Sequence, residues 1–204
     1  MPLSLVQRTC RIALVLLLAA ACRGPAVAAG MPLPGQLLIA SRSMGDPRFD
    51  HAVVLILYHN KTGAFGVVIN RPVGERSIKS LLAAIGDDKD SNVVGSLRVF
   101  AGGPVEPQLG FVIHTPDYRG NGTLAIDDTV AMTASRAILV AIGHHRGPRK
   151  SFIAFGYAGW AAGQLEAEIA DHAWYTAPAD SQLIFDAPRD ELWDDAMARR
   201  LREL

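Results

Sequence analysis

Two runs of strand length dominate the hydrophobic pattern. Ala52–Tyr58 (AVVLILY) and Ala64–Asn70 (AFGVVIN) are nearly continuous in apolar, β-branched residues, which predicts strands covered on both faces. The polar stretch His59–Gly63 between them ends in glycine and predicts a five-residue hairpin turn. A short strand is expected before them at Gln36–Ser41. Others are expected after them at Leu97–Ala101, Leu109–His114, Leu124–Ile126, Ser151–Phe155 and Leu183–Phe185. The connector Gly102–Pro107 contains two prolines, which are expected to stiffen it and keep it out of the sheet.

Helical spacing replaces strand spacing in four places. Ser77–Ile85 carries Ile78, Leu81, Leu82 and Ile85, with Ser77 placed to cap the helix. Thr133 is the expected cap of a second helix running to Gly143, with Ile138, Leu139 and Ile142 inward. A third follows Gly156–Trp160 and runs to Asp171, with Ala161, Leu165 and Ile169 as its core stripe. The closing helix presents Leu192, Trp193, Ala196, Met197 and Leu201. Hairpins fill the first half and strand–helix pairs the second, so the pattern predicts one compact α+β domain rather than a doubly wound parallel sheet. Gly86–Asn92 is acidic and polar and reads as an exposed loop.

The first thirty residues read differently. Arg8 and Arg11 precede an apolar run from Ile12 to Cys22, and Ala26-Val27-Ala28 supplies a small-x-small cleavage pattern. Residues 1–28 are therefore expected to be a signal peptide for export to the periplasm, leaving residues 31–204 as the domain. The run is too short to span a bilayer, so no transmembrane helix is expected after cleavage. Two alternatives stay open: lipidation at Cys22, and translation from Met31, which would give a cytoplasmic product.

Charge and cysteine content narrow the chemistry. Both cysteines, Cys10 and Cys22, lie in the signal segment, so the domain has no thiolate nucleophile and no disulfide. From Met31 onward, 17 basic residues face 20 acidic ones, a net charge of −3 that argues against nucleic acid as a partner. The chain has no nucleophile elbow, P-loop or dinucleotide fingerprint. The adjacent His144 and His145 point apart on a helix end, and no cofactor or metal is expected. The segment with most potential is Gly156–Glu168 (GYAGWAAGQLEAE), where glycines permit close backbone approach and Trp160, Gln164 and Glu168 recur every four residues. A binding site there predicts partly exposed Trp160 and Gln164 with Arg71 close by. A structural role predicts that they are buried and paired.

Four blocks in order, Gly35-Gln36-Leu37-Leu38-Ile39-Ala40, Gly63–Pro72 (GAFGVVINRP), Gly102-Gly103-Pro104-Val105-Glu106 and Gly156-Tyr157-Ala158-Gly159-Trp160 with Gly163–Glu166, resemble the YqgE/AlgH family. The resemblance runs from about Pro34 to Leu201 and implies a compact α+β fold whose mixed, partly barrel-like sheet is flanked by helices. It implies no settled activity, although some members carry the label of transcriptional regulator. Most relatives begin near the equivalent of Met31. The candidate binding residues are Asn70, Arg71, Gly102, Gly103, Tyr157, Gly159, Trp160, Gln164 and Glu168, with no catalytic residue assigned. The expected function is a non-enzymatic binding or regulatory domain for a small molecule or protein. The alternatives are an enzyme acting on a small anionic substrate through Arg71 and Glu168, and a DNA-binding regulator.

Overall fold

The computed structural model of the chain describes residues 33–87, 90 and 92–201. The expected signal peptide, with Cys10 and Cys22, lies outside these, as do Met31 and Arg202. Along the described residues the elements are β1 (Leu37–Ala40), a 3₁₀ turn (Pro47–Phe49), β2 (Val53–Asn60), β3 (Gly63–Val68), β4 (Pro72–Ser77) and α1 (Ile78–Ala84). They continue with β5 (Ser96–Ala101), β6 (Val105–His114), β7 (Thr123–Ala125), β8 (Ala131–Thr133), α2 (Ala137–Gly143) and β9 (Ser151–Ala161). The chain ends with α3 (Gln164–Ala170), β10 (Trp174–Ala177), a π-helical turn (Gln182–Asp186) and α4 (Leu192–Ala198). The strands pair in the order β10-β1-β2-β3-β9-β6-β8-β7, with β5 joining β4 to β9. All pairings are antiparallel except β5 with β9, and the sheet curls into a half-barrel flanked by helices. This is the α+β class that the hydrophobic pattern implies.

The continuous apolar runs are explained by burial on both faces. Leu37, Ile39, Val53 and Leu55 point to an inner core closed by Phe185, Leu192 and Trp193, whereas Leu38, Ala40, Val54 and Ile56 face a second cluster with Leu165 and Trp174. A third cluster packs α1 and α2, through Ile78, Leu82, Ile138 and Leu139, against Val99, Val112 and Ile153. Ser77 caps α1 as its sequence predicts, its hydroxyl accepting the Ser80 N–H at 3.1 Å.

Several elements differ from the sequence-based expectation. The β2–β3 ladder extends to Asn60 and Gly63, so the hairpin loop has two residues; the Asn60 carboxamide oxygen accepts the Thr62 N–H and substitutes for a longer turn. Pro107 sits inside β6 rather than in a connector. The β6–β9 register jumps between Val105 and Gly110, and a strand bulged in this way leaves proline without a ladder bond to break. Thr133 belongs to β8 and does not cap α2; the N-cap position is Arg136, which makes no side-chain cap bond, and Ser135 Oγ accepts the Ala137 N–H at 3.3 Å. The Thr133 hydroxyl is drawn instead into hydrogen bonds with His114 and Thr123. Leu183–Phe185 is buried in a π-helical turn, and the edge strand is Trp174–Ala177. An apolar triplet fits either element, and only pairing with β1 selects the second segment. Leu201 is exposed beyond the end of α4, which stops at Ala198.

The largest correction concerns Gly156–Trp160. It is the C-terminal half of the eleven-residue strand β9, which continues to Ala161 before a two-residue turn leads into α3. Ala161 is consequently exposed and ends the strand, so the α3 core contact is made by Leu165, with Ile169 half-buried beside it.

Candidate functional site

Strand β9 changes neighbours at Gly156. Val99–Ala101 of β5 pair with Ile153–Phe155, after which Gly63–Gly66 of β3 pair with Ala158–Ala161. Gly156 has a φ of 74°, and the alternation of side chains shifts there. Phe152 and Ala154 face the inner core, as does Tyr157, whereas Ala158 and Trp160 face the outer cluster. A one-residue slip of this kind turns every later side chain to the opposite face. That slip places Trp160 beneath α3.

Gly102 and Gly103 fill the gap where the strands change partners. Gly102 donates to the Phe155 carbonyl at 2.7 Å and accepts from Val68 N–H at 2.8 Å. Gly103, at φ 156°, runs so close to Tyr157 that a Cβ would overlap its backbone carbonyl, and a Cβ on Gly156 would meet the Gly103 oxygen. These glycines are needed by backbone proximity.

On the outer face a carboxylate gathers the predicted side chains. Glu168 Oε2 accepts the indole N–H of Trp160 and that of Trp174, each at 2.8 Å. Glu168 Oε1 accepts the Gln164 amide N–H at 2.8 Å, and the Gln164 carbonyl accepts Ala161 N–H at 3.0 Å. The four-residue spacing on α3 brings Gln164 and Glu168 together. Trp160 joins them from the strand and not, as its spacing suggests, from the same helix. Trp160 and Trp174 pack edge to face with centroids 5.8 Å apart, and Phe49 meets Trp174 in the same way at 5.4 Å.

These groups line a hollow of about 330 Å³ together with Met44, Asp46, Arg48, Pro104, Val105 and Gly159. Trp160, 7% exposed and paired with Glu168, meets the expectation for a structural role, whereas Gln164, though paired, is exposed with Gly159 at the lip, as a binding site requires. Asp46 caps the 3₁₀ turn through Arg48 N–H and also binds the Arg48 guanidinium at 2.7 Å; these bonds hold its carboxyl below the usual carboxylate range.

The other candidates lie elsewhere. Arg71 donates to the Arg48 carbonyl and, at 3.0 Å, to that of Asp50, bracing the 3₁₀ turn. It lines a second hollow of about 230 Å³ with Gly103, Ala101, Arg48 and Pro104, the last two shared with the first hollow. Asn70 ties β3 to the start of β2, accepting Val53 N–H at 3.0 Å and donating to the His51 carbonyl at 2.8 Å. Tyr157 packs edge to face on Phe65 and Phe111 in the inner core. Met44, Asp46, Arg48, Phe49, Val105 and Trp174 were not legible as site residues. The one local signal was Asp46-Pro47, a cap followed by proline at the first position of a helical turn.

The fold and this hollow define an α+β half-barrel domain with a lateral recess built on its longest strand. The chain belongs to the AlgH-like family, whose profile matches residues 37–203. It is 43% identical over 164 residues to a UPF0301 protein of Thioalkalivibrio sulfidiphilus, covering 80% of this chain and 87% of that one. A UPF0301 protein of Rhodospirillum rubrum is 42% identical over 167 residues, covering 82% and 86%. The solution structure of the AlgH protein from Pseudomonas aeruginosa superposes with a TM-score of 0.69 at 40% identity, covering 82% of this chain and 88% of that chain. A crystal structure of a Corynebacterium diphtheriae protein shares the fold at a TM-score of 0.67 and 22% identity, covering 84% and 89%.

Proposed function

We propose that the chain is a binding domain and not an enzyme, and that the hollow beside Glu168 is where it binds. The carrying observation is the convergence of Trp160, Trp174 and Gln164 on one carboxylate, which fixes the lining before any ligand arrives. The enzyme alternative needs the Arg71 guanidinium and the Glu168 carboxylate on one substrate. Arg71 is instead committed to two backbone carbonyls and lines a different hollow from Glu168, so the two groups are not set to meet on one substrate.

A photo-reactive benzoylphenylalanine at Val105, on the wall of the hollow, tests this in cells against the same residue at Lys61 in the β2–β3 loop. A discrete adduct at position 105 alone is expected. Identical patterns at both positions, or none at 105, would remove the hollow from consideration. The same reading places the domain in the periplasm, supported by the order of charged, apolar and small residues in the first 28 positions. N-terminal sequencing of the mature protein is expected to begin near Ala29; a first residue of Met31 would return it to the cytoplasm.

A further inference from the structure

We propose that the hollow recognises an alkylammonium group, a cationic head on a methylene stem such as a lysine side chain or a free aliphatic amine carries. This rests on the hollow being a binding site and adds the class of its occupant. Three charged groups line the hollow: Asp46, Arg48 and Glu168. Asp46 and Arg48 neutralise each other, since the guanidinium Nε and Nη2 both lie on that carboxylate at 2.7–3.1 Å. Glu168 is held only by neutral donors, and among the described residues it enters no ion pair. The lining therefore carries one net negative charge on a fixed, partly buried carboxylate, and a cation supplies the missing complement.

The pattern of donors decides which cation. A guanidinium pairs best by laying two parallel N–H groups on both carboxylate oxygens. That mode is blocked here, because Oε2 already receives two indole N–H groups and Oε1 receives the Gln164 amide. An ammonium is a point charge that needs a single lone pair, and Oε1, with one donor, retains one. The remaining wall, with Met44, Phe49, Pro104 and Val105, is apolar and suits a methylene stem.

The test uses the full chain and its tryptophan fluorescence, since two of its three tryptophans donate to Glu168. Cadaverine serves as the free-amine probe and a blocked lysine amide as the chain-borne one, each against sodium chloride at equal ionic strength. A saturable change with either probe is expected, weakened at least roughly tenfold in Glu168→Gln, or about 1.4 kcal/mol. A response to cadaverine alone marks a free amine, and one to the lysine amide marks a protein side chain. Val105→Lys, which supplies an ammonium from the wall itself, is expected to abolish the response while the fold, read by circular dichroism, is kept; it covers the case in which Glu168→Gln fails to fold. A response matched by sodium chloride, or retained in Val105→Lys, overturns the alkylammonium assignment. An adduct at position 105 in the crosslinking experiment would then still stand, so the two failures are distinguishable.

Discussion

At the residue scale, backbone proximity rather than side-chain chemistry governs the glycines around β9. Gly103 lies against the Tyr157 carbonyl and Gly156 against the Gly103 oxygen, both with positive φ. Gly103→Ala is therefore expected to lower stability by about 2–4 kcal/mol, since neither backbone can withdraw without breaking the sheet. Gly45→Ala, where a Cβ would meet nothing within 4 Å, is the matched control. Urea denaturation of the two variants checks this, and equal midpoints would show that the strands separate freely. The sequence displays the Gly102-Gly103 pair openly, yet its role as a backbone crossing is invisible there because the other half of the contact lies more than fifty residues away. Trp160, Gln164 and Glu168 were legible as a group. Their geometry was not, because the four-residue spacing suggests one helix and Trp160 comes from a strand.

At the element scale, a hydrogen-bonded chain pins three strands of the half-barrel's far end. Gly120 N–H donates to Thr123 Oγ1 at 3.1 Å, Thr123 and Thr133 hydroxyls meet at 2.8 Å, and Thr133 meets His114 Nε2 at 2.9 Å. His114 Nδ1 lies 2.8 Å from the Thr115 carbonyl, which requires the proton on Nδ1 and leaves Nε2 to accept. A second proton has no acceptor unless the threonine hydroxyls reverse. Burial lowers the His114 pKa below 6.5, against the smaller opposing effects of the Thr115 carbonyl and Asp117. The unfolded chain therefore takes up this proton first. The contribution of His114 to stability is complete above pH 6.5 and declines as pH falls from 6.5 toward the lower folded-state value. The lowered carboxyls of Asp117 and Asp180 act in a separate, more acidic window, their contribution being lost as pH falls below their ordinary 3.8. Chemical denaturation between pH 7.5 and about 5 is expected to show stability falling with acid, a slope that His114→Gln flattens. An unchanged slope in the variant would assign it to another group.

At the scale of the whole molecule, charge sets what the domain meets. With 17 basic and 20 acidic residues from Met31 onward, and with Arg199 paired to Asp180, the domain has no excess of positive charge to offer phosphates. Binding of residues 31–204 to duplex DNA at physiological salt is expected to match that of an ordinary neutral protein. Sub-micromolar, salt-dependent affinity in a fluorescence anisotropy titration would restore the DNA-binding alternative.

The sequence by itself determined the α+β class, the two strands buried on both faces, the capped helix at Ser77 and the family. These are local or repeating signals, carried by periodicity, caps and contiguous blocks. The tertiary structure decided the rest. It set Gly156–Trp160 within a strand, moved the edge strand to Trp174–Ala177, and brought Phe49, Val105 and Trp174 to Glu168. Strand pairing and side-chain facing depend on partners distant in the chain, so a one-residue slip at Gly156 decides which face Trp160 occupies, and no window of local sequence contains the segments that impose it.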